Sequence, residues 1–211
     1  MRFIDIHTHH AAPQPHISCI VSSGTTAAPC NVPCSVGIHP WYITTAWEED
    51  MREVCNAARR KNVVAIGECG IDKLKSPADI TLQTEILASH ARLAEECGKP
   101  LILHCVKAQD EIIRQHRSIA PKQAWIIHGF RGKPLQAQQL LHEGFYLSFG
   151  AQYNSESLAI TPIDRLFIES DTALTSIEEI YRAVAACRGT SIEQLASSIV
   201  QNAIRCNINI L

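Results

Sequence analysis

The stretch "RFIDIHTHH" (residues 2–10) runs from apolar residues straight into three imidazoles. Phe3, Ile4 and Ile6 read as a short buried strand, which would ordinarily give way to a turn rich in Gly, Asn or Asp. Here it ends in His7, Thr8, His9 and His10. Side chains alternate along a strand with a period of two, so His7 and His9 point to one face. Two rings aimed at one point acquire chemistry only if other polar groups join them.

Working outward, further short apolar runs occur at "ISCIV", "CSVGIH", "VVAIGE", "LILHC", "WIIHG", "FYLSFG" and "LFIESD". Amphipathic stretches separate the later ones. Residues 45–60 open on a Thr45/Glu48 capping box, and residues 76–97 repeat apolar positions at helical spacing before Gly98-Lys99-Pro100. Residues 110–116, 134–142, 176–187 and 191–206 behave alike, the last two opening on the boxes Ser176/Glu179 and Ser191/Gln194. Strand alternating with helix implies parallel strands joined by crossovers, and the count predicts an α/β fold, a (β/α)8 TIM-type barrel. Residues 10–35, with Pro13, Pro15, Pro29 and Pro33, show no helical pattern. The expected barrel is therefore trimmed, with helices missing in the first crossovers, and residues 1–211 read as one domain.

Composition narrows the function classes. With 211 residues and 46% hydrophobic content the chain can bury a full core, which excludes a disordered or fibrous protein. A formal charge of -2 supplies no general basic field, so a nucleic-acid substrate would be held by local contacts or metal ions. No stretch approaches the roughly 20 apolar residues that span a bilayer, and the start lacks a secretory pattern, so no membrane association and a cytoplasmic location are expected. The nine cysteines are odd in number and scattered, as in a reducing compartment, and Cys30 and Cys34 lack a second pair at finger spacing.

The chemistry lies at the strand ends. His7 and His9 end the first run, His39 the third, Glu68 the fourth, His104 the fifth, His128 the sixth and Asp171 the eighth. In a (β/α) barrel these ends share one face, where active sites sit. Imidazoles with carboxylates suit two divalent ions, and a bridging carboxylate, most naturally Glu68, would hold them roughly 3.5–4 Å apart. His90, His116 and His142 fall on helices and read as surface residues. Cys105, beside His104, is turned to the opposite side by alternation.

"FIDIHTHH", "VGIHPW", "AIGECGID", "LILHC", "IIHGFRG" and "LFIESD", in this order, resemble the TatD family of metal-dependent hydrolases among the amidohydrolase-like barrels. The resemblance implies metal ligation by His7, His9, Glu68, His104, His128 and Asp171, with two divalent ions (Zn, Mn or Mg) as cofactors. It also implies phosphodiester hydrolysis, often of DNA ends, with DNA or a small phosphodiester as substrate. Glu68 and Asp171 are then the catalytic carboxylates, Asp171 as general base, while His39 and Lys73 are candidate substrate contacts. Asp72 is read as orienting a ligand histidine or capping a loop, and Trp41, Tyr42 and Phe130 as aromatics that either stack on bases near the pocket or pack at its rim. Glu68 separates the chain from relatives that bridge their metals with a modified lysine, because Lys73 lies beyond the strand. The family's proline and Arg/Lys-Asn-Pro loop after the strand-eight aspartate is replaced by "TALTSIEEI". That departure leaves open an amidohydrolase acting on another small ester or amide, or a non-catalytic barrel.

Overall fold

The computed structural model describes residues 1–10 and 14–210. Eight parallel strands pair in chain order: β1 (Phe3–Thr8), β2 (Ile17–Ser22), β3 (Cys34–Val36), β4 (Val63–Asp72), β5 (Leu101–Val106), β6 (Trp125–Ile127), β7 (Tyr146–Phe149) and β8 (Leu166–Ile168). Each apolar run of the sequence became one of them. All ten residues of β4 are buried, as expected of a parallel strand covered on both faces. Around the strands lie α1 (Trp47–Ala58), α2 (Ile80–Cys97), α3 (Gln109–Ile119), α4 (Pro134–His142), α5 (Ser155–Ile160), α6 (Ile177–Arg188) and α7 (Ile192–Arg205). Among the described residues no helix is long and apolar enough to cross a membrane.

The barrel closes through a narrow seam. β8 is short, and among the described residues β1 is bridged to the chain just beyond it, between Thr8 and Asp171, where Asp171 N–H donates to the His7 carbonyl (2.9 Å) and His9 N–H to the Asp171 carbonyl (3.0 Å). Ile4 finds its partner elsewhere. The buried Tyr181 hydroxyl of α6 accepts from Ile4 N–H (3.2 Å) and donates to Ile4 C=O (2.9 Å). One side chain thus satisfies two backbone groups that would otherwise be orphaned in the core.

The first two crossovers carry no helix among their described residues, as the proline-rich sequence predicts; Pro13 lies outside the described residues. The Asn62 amide nitrogen ties down the second crossover by reaching the carbonyls of Ala28 (3.0 Å), Pro29 (3.1 Å) and Val32 (3.0 Å). Two helix starts differ from the sequence expectation. α1 begins at Trp47 with no side-chain cap, because Thr44 rather than Thr45 accepts a nearby N–H, that of Ala46 (3.1 Å). α2 begins at Ile80, capped by Asp79 on Leu82 N–H (2.9 Å), while the Ser76 hydroxyl donates to the Pro40 carbonyl (2.8 Å). The boxes at Ser176 and Ser191 form as expected.

Candidate metal centre

Glu68 is placed by the pairing of β4 with β5. Gly67 and Gly70 have φ of 131° and 140°, and a Cβ at either would run into the carbonyl oxygen of Ile102 or His104. Glycine at these points lets the two strands approach closely and brings Glu68 between the ends of β1, β5 and β6.

Around the buried Glu68 carboxylate the structure gathers all the strand-end histidines. Oε2 lies 3.1 Å from His7 Nε2 and 3.6 Å from His9 Nε2. Oε1 lies 2.8 Å from His104 Nδ1, 2.8 Å from His128 Nε2 and 3.0 Å from His39 Nε2. Asp171 sits at the Oε2 end, with Oδ1 3.6 Å from His9 Nε2 and 3.8 Å from His7 Nε2. All six candidate ligands, and His39, therefore share one mouth of the barrel.

The charges are mutually dependent. Burial pushes the Glu68 carboxyl upward, but the charge on His128 and hydrogen bonds from His104, His128 and His39 outweigh it and hold it well below the usual range. Burial works against a charged His128 as well, yet Glu68 and Glu169 raise it well above an ordinary histidine. The hydrogen bond to Glu68 also raises His9, against the effect of burial.

Two carboxylates stand behind this layer. Asp72 Oδ2 accepts from His104 Nε2 (3.0 Å) and Trp41 Nε1 (2.6 Å), and its Oδ1 accepts from the backbone of Leu74 (2.8 Å) and Lys75 (3.0 Å). Burial opposes ionisation of Asp72, but these donors bring it down to about 2. The orienting role read for Asp72 thus has its hydrogen bond. Glu169 was not singled out from the sequence; it is wholly buried, with Oε1 3.3 Å from His128 Nδ1. Alternation contained the signal, since Glu169 precedes Asp171 by two residues.

Other expectations fare unevenly. Lys73 is turned to Glu111, its Nζ 2.7 Å from Oε1, rather than into the cluster. Trp41 and Tyr42 are exposed at the mouth, whereas Phe130 is buried against Phe149 and offers no stacking surface. His90 is not a surface residue: it is fully buried, its Nδ1–H donating to the Ile86 carbonyl (2.8 Å) while Nε2 accepts from Ile38 N–H (2.9 Å). His116 is half-buried, its ring 4.5 Å from that of Phe145. His142 is exposed as expected, and burial pushes the Cys105 thiol up to about 12, as befits a packing residue.

The donor set fits divalent cations. Both nitrogens of the buried His7 ring lack a hydrogen-bond partner, although Nε2 faces Glu68. Buried imidazoles are rarely left unsatisfied, and lone pairs converging on a carboxylate are what a cation requires. Three sets among the described residues bring ligand atoms within 4.8 Å of one another: His7, His9 and Glu68; His7, His128 and Asp171; and His39, Glu68 and His104.

The profile of the TatD related DNase family matches residues 22–207. The chain belongs to this family. His7 and His9 precede the matched region and join the cluster through their geometry. Among similar proteins, the Bacillus subtilis protein named uncharacterized metal-dependent hydrolase YabD is 29% identical over 194 residues, covering 81% of this chain and 75% of its own. The Erwinia tasmaniensis protein named 3'-5' ssDNA/RNA exonuclease TatD is 26% identical over 197 residues, covering 81% and 76%. The crystal structure of YJJV, a TatD homolog from Escherichia coli k12, superposes with a TM-score of 0.83 over 98% of both chains at 19% identity, a likeness of fold. The protein is thus a TatD-family barrel of the metal-dependent hydrolases.

Proposed function

We propose that this TatD-family protein is a phosphodiesterase acting on DNA ends or small phosphodiesters, with two divalent cations held by His7, His9, Glu68, His104, His128 and Asp171. The observation that carries the reading is the single buried Glu68 carboxylate with imidazoles at both of its oxygens. Together with these imidazoles, Glu68 would hold the cations that hydrolytic two-metal chemistry uses. When bound, the cations supply Lewis-acid polarisation of the phosphoryl group and a water acidified toward neutral pH.

The chain's own residues do the remainder. Asp171, at the Oε2 end of Glu68, can take the proton of the attacking water. Asp72 and Glu169 fix the rings of His104 and His128, so that the nitrogens facing Glu68 keep their direction. His39 lies within reach of a phosphate seated over the cluster. Lys73 contributes positive charge at the rim only when released from Glu111.

The test is hydrolysis of bis-p-nitrophenyl phosphate and short single-stranded DNA by protein reconstituted with Zn, Mn or Mg, beside Glu68→Ala. Turnover that needs added metal and disappears in the variant supports the reading. A wild-type protein that binds metal and cleaves neither ester would overturn it.

A further inference from the structure

His39 differs from its neighbours in one hydrogen bond. The backbone N–H of Trp41 donates to His39 Nδ1 at 3.0 Å. A backbone amide is a donor and nothing else, so the Nδ1 lone pair is occupied and the ring carries its proton on Nε2. Nε2 is the atom that faces the cluster, 3.0 Å from Glu68 Oε1. Its neighbours are arranged the other way round. His104 has Nε2 against Asp72, and His128 has Nδ1 against Glu169, so each can keep a proton outward on a carboxylate and, when a cation replaces the inner proton that bonds Glu68, offer a bare nitrogen to the centre. His39, although close enough to be counted with Glu68 and His104 as a ligand set, presents an N–H instead.

Its position gives that N–H a task. Glu68 Oε1 faces His39, whereas Asp171 lies with His7 and His9 at the Oε2 end. Displacement at phosphorus runs in line, with the entering and leaving oxygens on opposite sides. An entering water on the Asp171 side puts the leaving oxygen on the His39 side.

On the phosphodiesterase reading above, we infer that His39 is a catalytic residue, a neutral hydrogen-bond donor through Nε2–H to the leaving oxygen, and not a metal ligand. The bond from water oxygen to phosphorus forms as the bond from phosphorus to the leaving oxygen breaks. Asp171 receives the water's proton, and the departing alkoxide takes one from solvent. His39 keeps its own proton, since losing it would leave an imidazolate and gaining a second would break the bond from Trp41. Its contribution is a fixed dipole where negative charge develops, as a neutral imidazole can supply. The turn that holds it is short and buried on its inner side: Pro40 is buried, and the N–H of Ile38 is anchored on His90.

The experiment compares two phosphodiesters whose leaving groups differ, with metal content measured in parallel. A nitrophenolate is a stabilised anion that departs without help; a sugar alkoxide is not. His39→Ala in metal-loaded protein is expected to lower kcat on short single-stranded DNA by about 10²-fold, the loss typical of one removed oxyanion donor. On thymidine 5'-(p-nitrophenyl phosphate) the loss is expected to be less than about 5-fold, within an ordinary weak hydrogen bond. Bound metal per chain should stay at the wild-type value, and His39→Gln, which keeps an N–H donor, should recover part of the DNA activity. Equal losses on both substrates, or loss of bound metal in His39→Ala, would overturn the role of His39 alone. Wild-type inactivity on both esters would overturn the phosphodiesterase reading and this role with it.

Discussion

Oε1 of Glu169, a carboxylate with no exposed surface, lies 3.3 Å from Nδ1 of His128, whose Nε2 is 2.8 Å from Glu68. The imidazole is thus clamped between two carboxylates on different strand ends. Glu169→Ala removes the outer one and frees the ring to turn, and it is expected to weaken metal binding by about 10- to 100-fold. Glu169→Gln keeps an acceptor for Nδ1–H and should lose less. Calorimetric titration with Mn or Zn reads both, and wild-type affinity in Glu169→Ala would refute the clamp.

The same clamp sets a pH dependence. Glu68 and Glu169 outweigh burial and raise His128 well above 6.5, so in metal-free protein its charge contributes stability that is complete below the unfolded value. That contribution is lost as pH rises through the folded value. A cation must displace the proton, so metal affinity is expected to rise with pH above 6.5, and uptake should release protons into a weakly buffered solution. A titration that releases no protons at pH 7 would contradict this.

How much of this was legible in the sequence depends on the range of the signal. The eight strands were readable because each is a local apolar run, and the candidate ligands because each ends such a run. Long-range satisfaction was not readable. His90 looked like a surface residue because nothing local shows that the Ile38 N–H needs its Nε2, and Glu169 was passed over beside the more familiar Asp171. α5 was missed because six residues, Ser155–Ile160, are too few to show a helical period, and its cap at Asn154 stands alone.

The barrel seam makes a stability prediction. Tyr181→Phe removes a hydroxyl that serves both the N–H and the C=O of Ile4 in a dry setting, and should destabilise the fold by about 1–3 kcal/mol. Urea denaturation of both proteins measures it, and an unchanged midpoint would show that water or β8 takes over.

Asp171 joins closure and chemistry in one residue, but through different atoms. Its backbone carries the bridge to β1 at a φ of 51°, a left-handed conformation that asparagine also tolerates, while its side chain faces the histidines. Asp171→Asn should therefore melt close to the wild type, within about 0.5 kcal/mol as for changes that leave the fold's contacts intact. Its metal-dependent turnover should fall by about 10²-fold or more, in line with loss of a general base. Circular dichroism melting beside an activity assay separates the two.

The proposed role of Glu68, organising a metal centre that hydrolyses phosphodiesters, is probed by Glu68→Ala. Metal content and hydrolysis of short single-stranded DNA are measured on the variant and the wild type, each with and without a chelator. The expected result is chelator-sensitive turnover in the wild type, and in the variant a folded protein with reduced bound metal and no turnover above background. Full activity in Glu68→Ala, or wild-type turnover indifferent to the chelator, would contradict it.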